Sequence, residues 1–405
     1  MNLHLARYVD RWLGLPLCLG LHGLARLRGD RVPPLRATTP PRTPPPAAPR
    51  RLLGIKFYGL GNIVMILPAL RALRRAFPEI EIDFLTLPGN AGLLEQSGLV
   101  RRVLTTDVST LPRFARSLLA LAGTLGRGGY DTVLDFEQFL KVSGVFAFLT
   151  RAPERIGLDT EGQQRAWLYT TRVAYTDSDH TVDIFLRLVA PLGVRADPDP
   201  WHLPIAADER ARARALAGLP ATAGAPLVVV HLGTGPNRYK IALKRWDADR
   251  FAAVADALVE RHGVTVVFTG QGDEERALVA EARRAMRRPA VDACDRLDVP
   301  ALGALLAEAR FVLSNDTSVM HLAGAVGTPV VALFGPTSPR LYGPRGARDL
   351  VFYKQLFCSP CISNYNLKLS RCTDPVCMRS ITVDEVVDAI ERAHFASARG
   401  AARGG

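Results

Sequence analysis

From residue 51 onward, apolar positions fall into two alternating kinds of run. Short apolar runs predict buried strands at 52–58, 80–86, 131–136, 227–232, 264–269, 310–314 and 329–334. Longer stretches with apolar residues three and four apart predict helices at 62–77, 109–126, 208–217, 247–262, 274–288, 299–308, 317–326 and 383–395. This alternation is the pattern of parallel sheets covered by helices on both faces. The expected fold class is therefore α/β, with two doubly wound, Rossmann-like domains. LAGLPATAGAP (216–226) reads as the joint between them, giving an N-terminal domain over 51–220 and a C-terminal domain over 221–395. Ligands in such sheets bind beyond the carboxyl ends of the strands, where strand order reverses. Two such domains imply a cleft, so the segments following each strand hold the candidate chemistry.

Ahead of residue 51 the pattern breaks. Residues 33–50 form a Pro-rich linker that cannot pack as helix or sheet. Residues 1–32 are basic and amphipathic, and within them WLGLPLCLGL (12–21) is uncharged, with Pro16 in its middle. That run falls short of the roughly 20 apolar residues a bilayer span requires, and no small-residue cleavage site follows it, as an ordinary secretory signal would need. Trp12 and the leucines beside Arg7, Arg11, Arg26 and Arg28 suggest a segment lying in a membrane interface. A helix packed on the protein's own surface is the alternative. The last residues, 396–405, are expected to be a disordered tail.

Composition sharpens this. The chain has 405 residues, 48% of them hydrophobic, enough for two cores. Its net charge is +12, and the first 50 residues hold eight Arg against two Asp, half the excess. A basic end favours an anionic partner. The body shows no basic-aromatic stripe and no nucleic-acid module, so peripheral contact with an anionic membrane is expected and nucleic acid is not.

Four post-strand segments stand out. The first is Gly59-Leu60-Gly61-Asn62, a glycine turn from strand to helix. It lacks the third glycine of a dinucleotide fingerprint, and no acid follows at the end of the next strand. The second, HLGTGPNRYKIALKRWDADRF (231–251), brings His231, Thr234, Gly235, Lys240, Lys244 and Arg245 ahead of a helix opened by Asp247, a set suited to a phosphate or diphosphate. The third, TGQGDEE, turns into a helix with an acidic first turn that suits the dipole. The fourth is SNDTSVMHLAGAVGTPVVALFGPTSP (314–339), where Asn315 or Asp316 is expected to cap a helix beginning Thr317-Ser318-Val319. Small residues there leave N–H groups open to an anion. Asp316 reads as a ligand group or as a plain cap.

No G-x-S-x-G elbow is present. Cys358, Cys361, Cys372 and Cys377 form C-x2-C-x10-C-x4-C, apart from Cys18 and Cys294. In a reducing compartment such a cluster suggests a structural zinc site in the loop 358–377, or else four reduced thiols. Neither would do the chemistry.

Taken in order, seven segments resemble glycosyltransferase family 9, the heptosyltransferase-like enzymes of lipopolysaccharide core assembly. They are GLGNIVMILPALRALRR, YDTVLDFEQFLKVSG, RIGLD, HTVDIFLRLV, KRWDADRFA, NDTSVMHLAGAVGTPVVALFGPTSP and SITVDEVVDAIERA, spanning about residues 51–395. The resemblance implies a GT-B fold, with an N-terminal domain for the acceptor, at Gly59 and Gly61, and a C-terminal domain for the nucleotide sugar, typically ADP-heptose. It implies inversion at the anomeric centre and no cofactor for catalysis. Carried onto this chain, Thr234, Gly235 and Lys244 would meet the diphosphate. The helix start at Thr317 and Ser318 would cradle it, Asp316 would hold sugar hydroxyls, and His321 would join the donor set. The acceptor would be a lipid-linked glycan, placing the protein on the cytoplasmic face of the membrane.

One departure stands out. The family's glycine loop normally ends in Asp, its proposed base, and this chain has Asn62. Neutral Asn cannot take the acceptor's proton with useful driving force. Three readings follow. Glu137 or His180 serves as base; Asn62 orients the acceptor while leaving-group stabilisation carries the rate; or the chain binds a sugar nucleotide without turning it over.

Overall fold

A computed structural model of the chain describes residues 3–30, 32, 48–106, 110–195, 202–222, 224–235, 241–366 and 370–396. Two units result, Met1–Pro200 and Trp201–Gly405. The first runs α1 (Leu3–Leu27), β1 (Arg51–Ile55), α2 (Leu60–Ala76), β2 (Glu81–Thr86), α3 (Ala91–Gln96), β3 (Arg102–Thr105), α4 (Leu111–Gly126), β4 (Thr132–Asp135), α5 (Lys141–Leu149), β5 (Glu154–Asp159), β6 (Thr171–Ala174) and α6 (Thr181–Val189). The second runs α7 (Ala207–Ala217), β7 (Leu227–His231), α8 (Ala248–His262), β8 (Thr265–Thr269), α9 (Gly272–Ala285), β9 (Val291–Asp292), α10 (Val299–Glu308), β10 (Phe311–Asn315), α11 (Ser318–Ala325), β11 (Val330–Phe334), α12 (Pro339–Tyr342), β12 (Leu350–Tyr353), α13 (Val376–Arg379) and α14 (Val383–Ile390), closing in a π-helical turn, Glu391–Phe395.

Each unit holds one six-stranded parallel sheet, ordered 3-2-1-4-5-6 and 12-11-10-7-8-9. The expected α/β class with two doubly wound units is the one the chain adopts. Strands covered on both faces need apolar side chains throughout, which is why β7 and β11 are buried at every position. On α2 the stripe Ile63, Ile66, Leu67, Leu70 and Leu73 is buried, as three-and-four spacing dictates. Phe136 joins β4 to its neighbours by stacking on Phe84 and meeting Phe185 edge-on. In the second unit Trp246, Phe251, Phe268 and Phe311 share one core.

In both units strand order reverses beside the first strand. β1 lies between β2 and β4, with Ile55 level with Asp135. β7 lies between β8 and β10, with His231 level with Ser314. The segments leaving β1 and β4, and those leaving β7 and β10, therefore face each other within their own unit.

Several expectations need correction. The run 52–58 is strand only to Ile55, because Phe57 and Tyr58 give their backbone N–H groups to the Glu137 carboxylate instead of a neighbouring strand. Strands β3, β5, β6, β9 and β12 were not expected. In β5, Glu154 and Arg155 disguise a buried strand; Glu154 accepts from Thr170 and Thr171, and Arg155 donates to the carbonyls of Leu168 and Ala152. The unit boundary falls at 200/201 rather than 220/221, since α7 belongs with α10: Arg212 pairs with Asp298 at the cap of α10, and Arg214 with Glu308. Segment 12–21 lies within one long helix that runs through Pro16 and packs on α5 and the turn Arg165–Leu168. Among the described residues no helix is long and apolar enough to cross a membrane. Most of linker 33–50 and all of the tail beyond Ala396 lie outside the described residues.

Candidate functional site

In the second unit, Asn315 ends β10 and turns its amide back across the sheet. Its Nδ2 donates to the Leu232 carbonyl at 2.8 Å, and its Oδ1 accepts from the Trp246 N–H at 3.1 Å. One side chain thus clamps the segment leaving β7 and the segment entering α8. Asp316, the next residue, faces the result. Lys244 Nζ lies 2.6 Å from Asp316 Oδ2, and Thr337, after β11, donates its hydroxyl to the same oxygen at 2.6 Å. Burial pushes the Asp316 pKa up, but the Lys244 ammonium and these hydrogen bonds outweigh it, with a smaller contribution from His321, and hold the carboxyl below its usual range.

Asp316 is therefore not the helix cap, and neither is Asn315. Thr317 caps α11, its Oγ1 accepting from Val319 N at 2.9 Å. Asp316 is thereby left to its ion pair. Ser318 opens α11, and His321 lies one turn on.

Thr234 is buried, its Oγ1 accepting from Arg245 Nε at 3.0 Å. Gly235 N donates to Glu275 Oε1 and Gln271 N to Glu275 Oε2, so one buried carboxylate ties the β7 and β8 loops. Beneath them, burial lowers the His231 pKa, partly offset by Glu275 and Thr269. Lys240 lies outside the described residues.

In the first unit the turn after β1 is set by Gly59, whose φ is +90°. A Cβ there would come within 2.7 Å of Asn62 Nδ2, so only glycine lets Asn62 fold back over the turn. Gly61 is not in the turn; it is buried in the first turn of α2. Asn62 is half-buried, with Nδ2 3.4 Å from the Tyr58 carbonyl.

Glu137 reaches this turn with both carboxylate oxygens already engaged. Its Oε2 is 3.0 Å from Lys56 Nζ and its Oε1 accepts from Phe57 N at 2.7 Å. Burial pulls its pKa up, yet Lys56 and the backbone donors win and hold it below its usual range. A carboxylate with both oxygens engaged is a positioning group for the loop. Below it, Arg165 donates to the Glu137 carbonyl and to Ser143, and Tyr169 donates to Asp135 at 2.5 Å. His180 caps α6, its Nδ1 accepting from Val182 N at 3.3 Å.

The structure thus joins Gly59, Asn62 and Glu137 in one unit, and Thr234, Gly235, Lys244, Asp316 and Thr317 around the switch point of the other. Sequence reasoning missed Lys56, Glu275 and Thr337. Lys56 had a signal, a lone cation in the apolar run LLGIKFY. Glu275 had none, reading as one more acid of a helix first turn.

Cys358, Cys361, Cys372 and Cys377 are free thiols, Cys358 exposed and Cys377 buried. Among the described residues no group of three or more His, Cys, Asp or Glu side chains is arranged to hold a metal ion. Within the loop, Cys361 Sγ accepts from Ser370 and Cys372 Sγ turns to the Asp374 carbonyl.

Comparison with known proteins gives a consistent result. The model of glycosyltransferase family 9 (heptosyltransferase) matches residues 118–369, more than half the chain. The lipopolysaccharide heptosyltransferase 3 of Escherichia coli is 24% identical over 306 residues, covering 72% of this chain and 86% of its own length. A family 9 glycosyl transferase from Veillonella parvula superposes with a TM-score of 0.71 at 22% identity, over 85% of this chain and 97% of its own. The Escherichia coli heptosyltransferase WaaC, solved with ADP, gives 0.64 at 20% identity, over 85% and 99%.

Proposed function

Because the chain belongs to glycosyltransferase family 9, we propose that it moves a heptose or related sugar, with inversion, from a nucleotide-sugar donor to a lipopolysaccharide-core or other lipid-linked glycan. The observation that carries this reading is the Lys244–Asp316–Thr337 constellation at the switch point of the second unit. On this reading Lys244 uses a further N–H to meet the donor diphosphate; an ammonium has three. The N–H groups of Ser318 and Met320, which have no partner within the helix, face the same charge. As the sugar–phosphate bond breaks, negative charge grows on the diphosphate, and these donors stabilise it without a metal. Asp316, held ionised, is then an acceptor for sugar hydroxyls.

At the acceptor, Asn62 orients the attacking hydroxyl from the Gly59 turn, and the rate comes chiefly from leaving-group stabilisation. Asn62 itself favours a second reading, a sugar-nucleotide binder that does not turn over. The protein would work on the cytoplasmic face of the membrane that carries its amphiphilic acceptor.

The test is to incubate the full chain with a panel of nucleotide sugars, ADP-heptose included, and a lipid-core extract. Mass spectrometry would follow glycosylated product and released nucleotide, with Asn62→Asp and Lys244→Met alongside. Transfer by the wild type, lost in Lys244→Met, is expected. Tight donor binding without turnover, restored by Asn62→Asp, would establish the binder. Absence of both with every donor would overturn the assignment.

A further inference from the structure

Helix α1 is amphipathic in the wrong sense for a helix that faces water. The side it lays on the domain is small or polar apart from Leu21. Asp10 accepts from the Lys141 and Val142 N–H groups, at 3.0 and 2.8 Å, and so caps α5. Gly14 lies against Lys141, where a Cβ would come within 2.9 Å. Cys18 and Ala25 are fully buried in a small cluster with Val145, Phe148 and Leu168. His22 Nδ1 is 2.8 Å from the Trp167 carbonyl.

The bulky apolar residues point the other way. Trp12 is 61% exposed, Leu15 36%, Leu19 43% and Leu27 88%. Their spacing sets these four along one flank of the outward side, and Leu17, 46% exposed, and Leu24, 37%, lie along its other flank. Exposed Arg26 and Arg28 close the same end. The two acids of the first 50 residues are both turned inward, Asp10 to α5 and Asp30 to Arg155 at 3.3 Å. What faces outward is therefore apolar and cationic. Helix α4 also packs on α5 and exposes Leu119 with Arg113 and Arg116.

We propose that α1 is a docking helix that lies in the plane of an anionic bilayer, its Trp12–Leu27 face among the lipid headgroups. Domain contacts hold the helix by its polar side, so the apolar side needs no rearrangement to meet lipid. Such a face gains from burying leucine and tryptophan at the headgroup boundary and from Arg against anionic lipid. A second copy of the same face would offer Arg26 and Arg28 no carboxylate, since both acids of the segment are turned inward. The proposal is independent of the transferase reading, since an inactive chain can bind vesicles and an active one can fail to.

The experiment is flotation of the full chain with vesicles of phosphatidylcholine, alone or mixed with phosphatidylglycerol. Wild type should float with mixed vesicles and less with the zwitterionic ones. Leu19→Gln/Leu27→Gln should weaken partition about ten-fold or more, with little change in melting temperature because these side chains are 43% and 88% exposed. Arg26→Gln/Arg28→Gln should abolish the preference for anionic lipid, and tests the charge term should the leucine variant fold poorly. Failure of wild type to float with either vesicle would overturn the proposal. So would a wild-type dimer that the leucine variant converts to monomer.

Discussion

Lys244 Nζ and Asp316 Oδ2 lie 2.6 Å apart, on segments brought together because β7 and β10 are neighbours in the sheet though distant in sequence. Both side chains are largely buried, so neither charge can be removed alone without cost. Lys244→Met should destabilise the fold by about 3 kcal/mol, the usual cost of orphaning a buried charge. Asp316→Asn should cost less, because the amide oxygen still accepts from Thr337. Denaturant unfolding of the two variants checks the order.

The same pair sets a pH dependence. The folded pKa of Asp316 is depressed below its ordinary value of 3.8, so the unfolded chain takes up the proton first. Its contribution is fully present above about pH 4 and is lost as pH falls through the folded value. Glu137, depressed from 4.5, acts with the same sign. Melting temperature measured from pH 6 downward should fall on the acid side, and more gently in Asp316→Asn.

Glu137 and Lys56 test position against chemistry. If Glu137 holds the loop, Glu137→Gln should lower stability by roughly 3–5 kcal/mol, and Lys56→Met/Glu137→Gln should recover part of the loss. A general base would behave otherwise: turnover would collapse while the melting temperature stayed put. Measuring both in one preparation separates the roles.

Gly59→Ala places a Cβ against Asn62 at a φ of +90°. Backbone strain of about 1–2 kcal/mol is expected, together with loss of turnover as Asn62 is displaced. Gly59→Ala/Asn62→Ala removes the contact but keeps the strain. Its stability should rise above that of the single variant while turnover stays low.

The cysteines predict an order of labelling. Exposed Cys358 should react first with a thiol reagent, and Cys377, buried and with its pKa raised by burial and by its neighbouring thiols, last. A bound metal would protect Cys358 with the others until a chelator was added, and time-resolved mass spectrometry distinguishes the two patterns.

Legibility from sequence followed periodicity. Strands such as LVVVH and VVALF, apolar at nearly every position, could be placed to within a residue or two, and helices such as α10 at both ends. β5 could not, because its charged residues find their partners only after folding. At the site, Lys244 and Asp316 were legible as donor candidates through the family's pattern, but their ion pair was not, since it depends on strand order. The capping role of Thr317 was lost to Asp316, a residue type equally suited to it. Glu137 pointed to the right loop, but its ion pair with Lys56 and its burial are invisible in a string of letters.

Asp10 capping α5 has a consequence for how the chain is made. α1 emerges early in synthesis, but the surface it docks on is built from residues 141–168, translated much later. At about 5–20 residues per second the helix waits roughly ten seconds for its place. During that interval both of its faces are open, the apolar one included. On the docking proposal, capture by lipid during translation would orient the nascent chain before its sheets close, and a chain begun at residue 51 would lose that head start along with the cap of α5.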